Sequence, residues 1–373
     1  MASSWFGKSS EPARPPDVQV RVADHEPTKF YLGSNSTNTG PTTVHPPNVD
    51  RHHSIPHVQS ASLFDVGIFK DTLAPSLGLH VGLATIAWAG ARYTGRVEAK
   101  DWLWPSGQVA NAWWSAVGRR MYQGYTLSQA LTRLSWHERL ILSGVTLWGG
   151  RLFYRIASRS IKRGKDDPRY DEIKREKEFW NKSLLTTFLP EAFFQMIISL
   201  PFTAPFRHEG AVLTGYHPYV QMAAVGMFSA GLALEALADY QLDNFKAEGK
   251  SGMMKEGVWS IVRHPNYLGD AFVHLSFIVL LYGSDMLAPI ELLGPLANYA
   301  FLRYFGGDKE NEASQARRYS TSNPEKFADL EKFRSEKNSF WPAAKELSNK
   351  WLWIVLGAGG LGVAIEEGLR SLH

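Results

Sequence analysis

Charged and polar side chains are concentrated between residues 235 and 270, where their spacing could serve a binding site. Glu235 and Asp239 are four residues apart, so they share one face if this segment is helical. Lys246 lies about two turns further along the same segment. The run EALADYQLDNFK therefore predicts a helix terminus that presents acceptors and a cation to one ligand.

A donor-rich corner follows this segment. It is the run Arg263, His264, Pro265, Asn266, Tyr267. Arg263, His264 and Asn266 provide several hydrogen-bond donors, and Pro265 restricts the backbone of the residue before it. Asp270 lies just inside the next apolar stretch, where a carboxylate is costly. The corner suits phosphate or carboxamide groups of a bound cofactor, and the alternative is a helix end whose long side chains reach the membrane surface.

Long apolar segments recur along the chain and are typical of membrane-spanning helices. A span needs roughly 17 to 25 residues, and LILSGVTLWGG, FFQMIISLPF and AFVHLSFIVLLYG scarcely show the polar stripe of a helix in a soluble protein. The sequence therefore predicts an all-α, multi-span integral membrane protein with about six to eight transmembrane helices. The candidate spans are about 73–93, 140–157, 184–206, 217–237, 268–283, 287–305 and 351–366.

The distribution of Lys and Arg predicts the orientation of these spans. The stretches 158–182, 239–266 and 303–350 contain 9, 4 and 10 Lys and Arg residues, whereas the short connections between paired spans contain only Arg207. Because positive residues are retained on the cytosolic side, all three long stretches are expected there. A shared cytosolic site can then be built from them.

Residues 94–139 do not fit this scheme. They are expected on the opposite side, yet they are basic. The basic residues are Arg96, Lys100, Arg119, Arg120, Arg133 and Arg139. Either the segment WLWPSGQVANAWWSAVG enters or crosses the bilayer, or the number of helices is wrong by one.

The composition excludes several classes of protein. The chain has 373 residues, a formal charge of +4 and no Cys, which excludes a disulfide scaffold, a thiolate nucleophile and a Cys-ligated metal. A charge this small gives no reason to expect nucleic acid as a partner.

The N-terminal segment differs in composition from the rest of the chain. Residues 1–62 are rich in Pro, His, Ser, Thr and Asn, so they are predicted to form a disordered tail before a helical membrane domain at 63–373. The tail contains five histidines, and four of them, His45, His52, His53 and His57, lie close together in the sequence. Because these lack fixed spacing and carboxylate partners, no metal site is predicted.

Two further motifs have competing interpretations. GAGGLG at 357–362 matches a dinucleotide-binding fingerprint, but no second strand-helix unit follows it, so close packing of membrane helices explains it better. KRGKDDPRYDEIKRE predicts either a solvated surface helix that its own charges cap or a lid over the cofactor mouth.

Several segments together resemble the membrane proteins grouped with the steroid 5-alpha reductases. The resemblance covers about 65–345 and rests on LWGGRLFYRIASRSIKRGKDDPRYDEIKRE, LPEAFFQMIISLP, EALADYQLDNFK, GVWSIVRHPNYLGD and FRSEKNSFWP. In steroid 5-alpha reductases an Asp followed seven residues later by a basic residue contacts NADPH; Asp239 and Lys246 keep that spacing, with Lys in place of Arg. An Asn and an acidic residue four positions apart also bind the cofactor there, and Asn266 and Asp270 match them. Glu235 stands where those enzymes usually have Asn.

The sterol C14-reductases carry the related run G-W-W-G-x-x-R-H-x-N-Y-x-G-D, with Trp259 here in its aromatic position. The resemblance implies NADPH as the cofactor and a reductase-like cofactor site in about 235–342. The cofactor-binding candidates are Glu235, Asp239, Lys246, Trp259, Arg263, His264, Asn266, Tyr267, Asp270, Arg317, Arg318 and Tyr319. The last three are placed to reach the adenosine phosphate, although a basic segment beside anionic lipid would look the same.

The reaction that the resemblance implies is NADPH-dependent reduction of a C=C bond in a steroid, sterol or other lipid or isoprenoid enone. An acid must then stabilise the developing enolate oxygen, and Tyr154 and Glu191 are the candidates. An interfacial tyrosine and a helix-packing hydrogen bond are the alternatives for these two residues. The expected partners are a lipophilic small molecule and the bilayer. The expected location is the endoplasmic reticulum, with the cofactor site facing the cytosol.

Two other functions compete with reduction. Membrane methyltransferases that use S-adenosylmethionine on a prenylcysteine or phospholipid also carry R-H-P-x-Y-x-G, but they typically follow it with adjacent glutamates. Here Glu310 and Glu312 are separated by Asn311. The third possibility is a non-catalytic scaffold that retains a reductase-like core and uses its tail to bind partners.

Overall fold

The computed structural model describes residues 68–207 and 217–372. Within these ranges the regular elements are all helical, and the described residues belong to one compact unit. The all-α fold class is therefore confirmed for the described part of the chain. The predicted disordered tail at 1–62 lies outside the described residues.

Ten α-helices form the framework. They are α1 (Ala74–Thr94), α2 (Ala99–Trp113), α3 (Trp136–Arg163), α4 (Leu189–Ile198), α5 (Pro218–Ala247), α6 (Pro265–Gly283), α7 (Leu293–Ala300), α8 (Asp308–Ser322), α9 (Pro324–Glu336) and α10 (Lys350–Arg370). Shorter helical pieces are Phe69–Leu73, Trp114–Gly118, Arg119–Tyr122, Leu127–Thr132, Pro168–Tyr170, Ile173–Arg175, Phe179–Ser183, Leu184–Phe188, Leu200–Phe202, Ala204–Arg207, Gly257–Ser260, Pro289–Leu292, Phe301–Phe305 and Ala344–Ser348.

Three helices of the described chain are long and apolar enough to cross a membrane: Phe69–Thr94, Pro218–Ala247 and Lys350–Arg370. A fourth candidate is the pair Phe179–Ile198 and Leu200–Phe206, which is bent by 54°. These four agree with four of the seven apolar segments found in the sequence. The larger number of six to eight spans is not confirmed, because the other helices in the described ranges are too short or not apolar enough to count as spans by themselves.

The helix α2 accounts for the basic segment at 94–139. With its continuation through Trp114–Gly118 and Arg119–Tyr122 it forms one helical rod. At its start Lys100 Nζ lies 2.5 Å from Glu191 Oε2 of α4, and at its end Arg120 Nη2 lies 3.6 Å from Glu138 Oε1 of α3. The segment therefore runs along the bundle from one end to the other, and its basic residues are divided between the two ends.

The two ends of the bundle are built differently. At one end, which we call the polar end, the C-termini of α3 and α5 meet the N-terminus of α6. At the opposite end Glu366 of α10 accepts hydrogen bonds of 2.7 Å from Trp136 Nε1 and from Gln221 Nε2. Gln221 in turn contacts His137 Nε2 at 2.9 Å. This network fastens α10 to α3 and α5.

The helix α10 also packs closely against α5 through its glycines. A Cβ atom on Gly359 would lie 2.7 Å from the carbonyl oxygen of Gly226, and one on Gly362 would clash with the side chain of Ser229. The motif GAGGLG thus brings two apolar helices together, as small residues do in membrane proteins.

Gly359→Val should destabilise the protein by about 1 to 3 kcal/mol, because the added side chain forces α10 away from α5. The measurement is thermal unfolding of the purified protein in detergent. Gly360→Val is the matched control, since a Cβ there has no heavy atom within 4 Å. Equal melting temperatures for the two variants would contradict the packing of α10 described above.

Candidate functional site

The junction of α5 and α6 positions the candidate residues that the sequence pairs. The two helices touch at glycines: a Cβ on Gly231 would lie 2.7 Å from the carbonyl oxygen of Gly269, and one on Gly269 would lie 2.9 Å from the backbone nitrogen of Glu235. The helices are antiparallel, so the turn after Glu235 faces the turn before Gly269. Asp239 and Asn266 therefore lie at the same end of the bundle.

The corner that precedes α6 is fixed to the end of α5. Trp259 Nε1 donates a hydrogen bond of 3.0 Å to the carbonyl oxygen of Ala238, and the backbone nitrogen of Val258 donates one of 2.9 Å to Gln241 Oε1. Trp259 is half-buried in this position. Its aromatic ring thus closes one side of the α5–α6 junction.

Two arginines of α3, which the sequence analysis did not single out, neutralise the acidic face of α5. Arg151 forms ion pairs with Glu235 and, at 2.8 Å, with Asp239. Arg155 lies 3.4 Å from Asp239 and pairs with Asp243. Spacings of four residues on both helices align the partners. Both arginines are in the run RLFYR, but their role as partners of the α5 carboxylates is evident only when α3 is known to lie beside α5.

Two buried acceptors at the junction lack a hydrogen-bond partner among the described residues. They are Glu235 Oε2 and Asn266 Oδ1. An unpaired buried polar atom costs about 1 to 3 kcal/mol, so such atoms mark places where a ligand with N–H or O–H groups would be stabilised. Both acceptors belong to the pairs that the sequence predicts to bind a cofactor.

Asp270 is held inside the protein. Its carboxylate accepts hydrogen bonds from Trp148 Nε1 at 2.9 Å and from Asn298 Nδ2 at 3.0 Å, and His274 Nδ1 lies 3.7 Å away. Each carboxylate oxygen therefore has a partner on another helix. In this structure Asp270 joins α3, α6 and α7 beneath the junction.

Arg263 and His264 converge on one carboxylate, that of Glu312 in α8. Arg263 reaches both of its oxygens at 2.8 and 3.0 Å, His264 Nε2 lies 2.8 Å from Oε1, and Arg334 of α9 donates to Oε2 at 3.0 Å. Burial alone would raise the pKa of Glu312, but the hydrogen bonds from His264 and Arg263 lower it to about 2. Glu312 thus anchors the helical tail to the corner. The ring of Tyr267 stacks on that of His264, with centroids 5.4 Å apart.

The remaining candidates are not brought into the junction. Lys246, Arg317 and Arg318 are exposed on the surface of the polar end. Tyr319 lies beneath two cations, with Arg318 at 5.1 Å and Lys326 at 5.0 Å from its ring centroid.

The two candidate acids lie in different environments. Tyr154 is 74% exposed on the outer face of α3. Glu191 is buried in α4 and paired with Lys100. The structure does not bring Tyr154 and Glu191 into contact, and it adds Lys100 as a neighbour of Glu191 that residue spacing could not have revealed.

The charged segment after α3 holds the start of α2. Asp166 accepts hydrogen bonds of 3.0 Å from the backbone nitrogens of Val97 and Glu98, and Arg169 donates one of 2.9 Å to Asp101. Its regular pieces are short 3₁₀ turns, Pro168–Tyr170 and Ile173–Arg175. The segment therefore is not a continuous surface helix, and it covers the polar end of α2.

The fold and this site define an all-helical protein that has three or four candidate membrane spans in its described residues and an ion-paired junction at one end. A family profile matches residues 87–332 and carries the description "Protein of unknown function (DUF1295)". The chain belongs to this family, and α10 lies beyond the matched residues. Comparison with the curated proteins and with the solved structures gave no match.

Arg151→Met should destabilise the protein by about 3 to 5 kcal/mol, because it leaves the buried Glu235 without its ion-pair partner and Asp239 with Arg155 alone. The measurement is unfolding in detergent, monitored by circular dichroism. Arg159→Met, an exposed position on the same helix, is the control. A loss no larger than that of the control would mean that the ion pairs do not hold α3 to α5.

The anchor at Glu312 should make the protein sensitive to acid. Because folding lowers the pKa of Glu312 from 4.5 to about 2, its contribution is complete above about pH 4.5 and is lost as the pH falls toward 2. Glu312→Gln should therefore lower the melting temperature at pH 6, and the difference from the unmodified protein should shrink toward pH 3. Glu310→Gln, at an exposed position of the same helix, should show no such dependence, and a constant difference for Glu312→Gln would refute the assignment.

Proposed function

We propose that this chain is a membrane-embedded, NADPH-dependent reductase of a C=C bond in a steroid, sterol or other lipid or isoprenoid enone. The observation that carries the proposal is the α5–α6 junction. There Glu235, Asp239, Asn266 and Asp270, which the family resemblance assigns to the cofactor, lie at one end of the bundle. Two of these side chains present buried acceptors that lack a partner in the described residues. Lys246, which the resemblance pairs with Asp239, is exposed on the surface of the same end.

The donors and acceptors of the junction fit NADPH. Asn266 Oδ1 and Glu235 Oε2 are suited to accept N–H or O–H hydrogen bonds from its amide and sugar groups. The exposed cations Lys246, Arg317 and Arg318 are suited to its phosphates. When bound, NADPH supplies a hydride to the electron-poor β-carbon of the enone.

The other side chains of the site have supporting roles in this proposal. The α3 arginines orient the side chains of Glu235 and Asp239 through their ion pairs. Glu312 holds the corner in one conformation through Arg263 and His264, and Trp259 and Tyr267 supply its aromatic surfaces. Glu191 remains a candidate for the group that stabilises the enolate, together with Lys100, while the exposed Tyr154 would serve only a substrate that approaches from the membrane.

We further propose that α2, α3 and α6, and α7 together with its flanking pieces Pro289–Leu292 and Phe301–Phe305, cross the bilayer with the candidate spans. This gives the six to eight spans that the sequence predicts. The polar end, with its many Lys and Arg residues, then faces the cytosol by the positive-inside rule. The endoplasmic reticulum remains the expected location.

One contact weighs against the methyltransferase alternative. The carboxylate of Glu312 is already engaged by Arg263, His264 and Arg334. It is therefore poorly placed to bind the ammonium group of S-adenosylmethionine.

The proposal is tested by thermal unfolding in detergent with NADPH, NADH and S-adenosylmethionine. A ligand at about 100 times its Kd adds roughly 2.7 kcal/mol of stability, so NADPH should raise the melting temperature clearly. Asn266→Ala should weaken NADPH binding about tenfold through the loss of one hydrogen bond. Asn244→Ala, an exposed amide on α5, is the matched control.

Stabilisation by S-adenosylmethionine alone would contradict the reductase proposal and support the methyltransferase alternative. If none of the three ligands stabilises the protein, a scaffold is the better description. An Asn266→Ala variant that binds NADPH as tightly as the control would remove Asn266 from the cofactor site.

A further inference from the structure

An open groove lies at the end of the bundle opposite the polar end. It is bounded by the last residue of α2, by the first turns of α3 and by the short helix Leu127–Thr132 with the turn that follows it. Its volume is about 680 Å³, which lies within the range of roughly 300 to 1,000 Å³ that small-molecule sites occupy. We call it the Arg139 groove, after the one charged side chain among its lining residues in the described chain.

The part of the Arg139 groove that lies further along α3 suits hydrocarbon. Its apolar walls there are Trp113, Leu142 and Leu147. Trp113 Nε1 donates a hydrogen bond of 2.9 Å to Thr146 Oγ1, and that hydroxyl donates one of 2.6 Å to the carbonyl oxygen of Leu142. Because these polar groups are already paired, apolar ligand atoms can lie against them without depriving a donor of its partner.

The outer end of the groove carries a positive charge. Arg139 lies in the first turn of α3, where its Nε donates a hydrogen bond of 3.0 Å to the carbonyl oxygen of Leu134 and its Nη2 lies 3.5 Å from that of Thr132. A guanidinium has five N–H donors, so these two contacts leave donors for a ligand. The lining residues of the described chain include no Asp or Glu. An anionic group at this end would therefore be attracted.

The length of the groove matches one leaflet of a bilayer. Leu147 lies eight residues beyond Arg139, which is about 12 Å along a helix, and half of the hydrocarbon core is about 15 Å thick. With α3 as a proposed span, Arg139 lies near the headgroups of the leaflet opposite the polar end, and the apolar walls extend toward the bilayer centre. Ser143 and Leu147 are exposed, so the groove is open to lipid along one side.

We propose that the Arg139 groove binds a phospholipid of this leaflet. The phosphate, which is anionic in every phospholipid, accepts charge-assisted hydrogen bonds from the guanidinium of Arg139. One acyl chain lies against Trp113 and Leu142, and the other remains in the bilayer. The alternative is an arginine that only extends toward water at the membrane surface. The site is independent of the proposed reductase activity, since it lies at the other end of the bundle, and it rests only on the proposal that α3 crosses the bilayer.

The test measures ligand binding to the full chain in detergent by native mass spectrometry. The three probes are phosphatidylglycerol, the diacylglycerol with the same acyl chains, and glycerol 3-phosphate. Phosphatidylglycerol should bind about tenfold more tightly than diacylglycerol, because only the former gives Arg139 a charged acceptor. Glycerol 3-phosphate should bind more weakly than phosphatidylglycerol, because it lacks the chains that fill the groove. Equal affinities for phosphatidylglycerol and either of the other two probes would overturn the proposal.

Arg139→Gln should raise the Kd of phosphatidylglycerol about tenfold and should leave that of diacylglycerol unchanged. Arg133→Gln is the matched control. Arg133 is an exposed cation on the turn before α3, it is absent from the lining residues, and its guanidinium carbon lies 4.5 Å from the ring centroid of Tyr125. Equal effects of the two substitutions would mean that Arg139 acts only as a surface charge, which would refute the site.

Ser143→Trp tests the apolar part of the groove without touching Arg139. The indole is added at an exposed position of the wall, so it should occupy the groove while the melting temperature stays that of the unmodified protein. It should weaken the binding of phosphatidylglycerol and of diacylglycerol alike. If Arg139→Gln does not fold, this variant decides alone, and unchanged binding of phosphatidylglycerol to it would reject the proposal.

Discussion

The close approach of α5 and α6 at Gly231 and Gly269 is the constraint on which the polar end depends. With a side chain at either position the helices would have to separate, and Glu235 would no longer lie beside the first turns of α6. The acidic face of α5, the donor-rich corner and the anchor at Glu312 are all placed by this contact. It is a packing interaction between two backbones, and the charged groups are arranged around it.

The charged groups of the polar end are stabilised by partners and not by solvent. Arg151 and Arg155 offset three carboxylates of α5, and three cationic or imidazole groups surround Glu312. Buried ion pairs add little net stability over apolar packing, but the removal of one partner from such a pair is strongly destabilising. Their effect here is to fix one relative position for α3, α5, α6 and α8. A site that must hold a large ligand at a membrane surface needs such fixed positions.

The sequence predicted the relations that periodicity and chain connectivity determine. The all-helical class and the shared end for Glu235, Asp239 and Asn266 follow from helix spacing and from short turns between paired spans. Contacts between helices that are distant in the chain could not be predicted in this way. The role of Arg151 is evident only once α5 is known to lie beside α3, and that of Lys100 only once Glu191 of α4 is known to be its partner. The outward direction of Tyr154 can be assigned only when the neighbours of α3 are known. Likewise, the basic residues of 94–139 are ambiguous until α2 is seen to run along the bundle.

The helix α7 connects the two polar regions. Asn298 donates to Asp270 beneath the α5–α6 junction. One turn later, the ring centroid of Phe301 lies 4.3 Å from that of Trp104 in α2 and 6.0 Å from that of Phe194 in α4. These two helices carry Lys100 and Glu191. A single helical turn thus separates the contact with Asp270 from the contacts with α2 and α4. A displacement of α7 would alter both sets of contacts together, because Phe301 directly follows the last residue of α7.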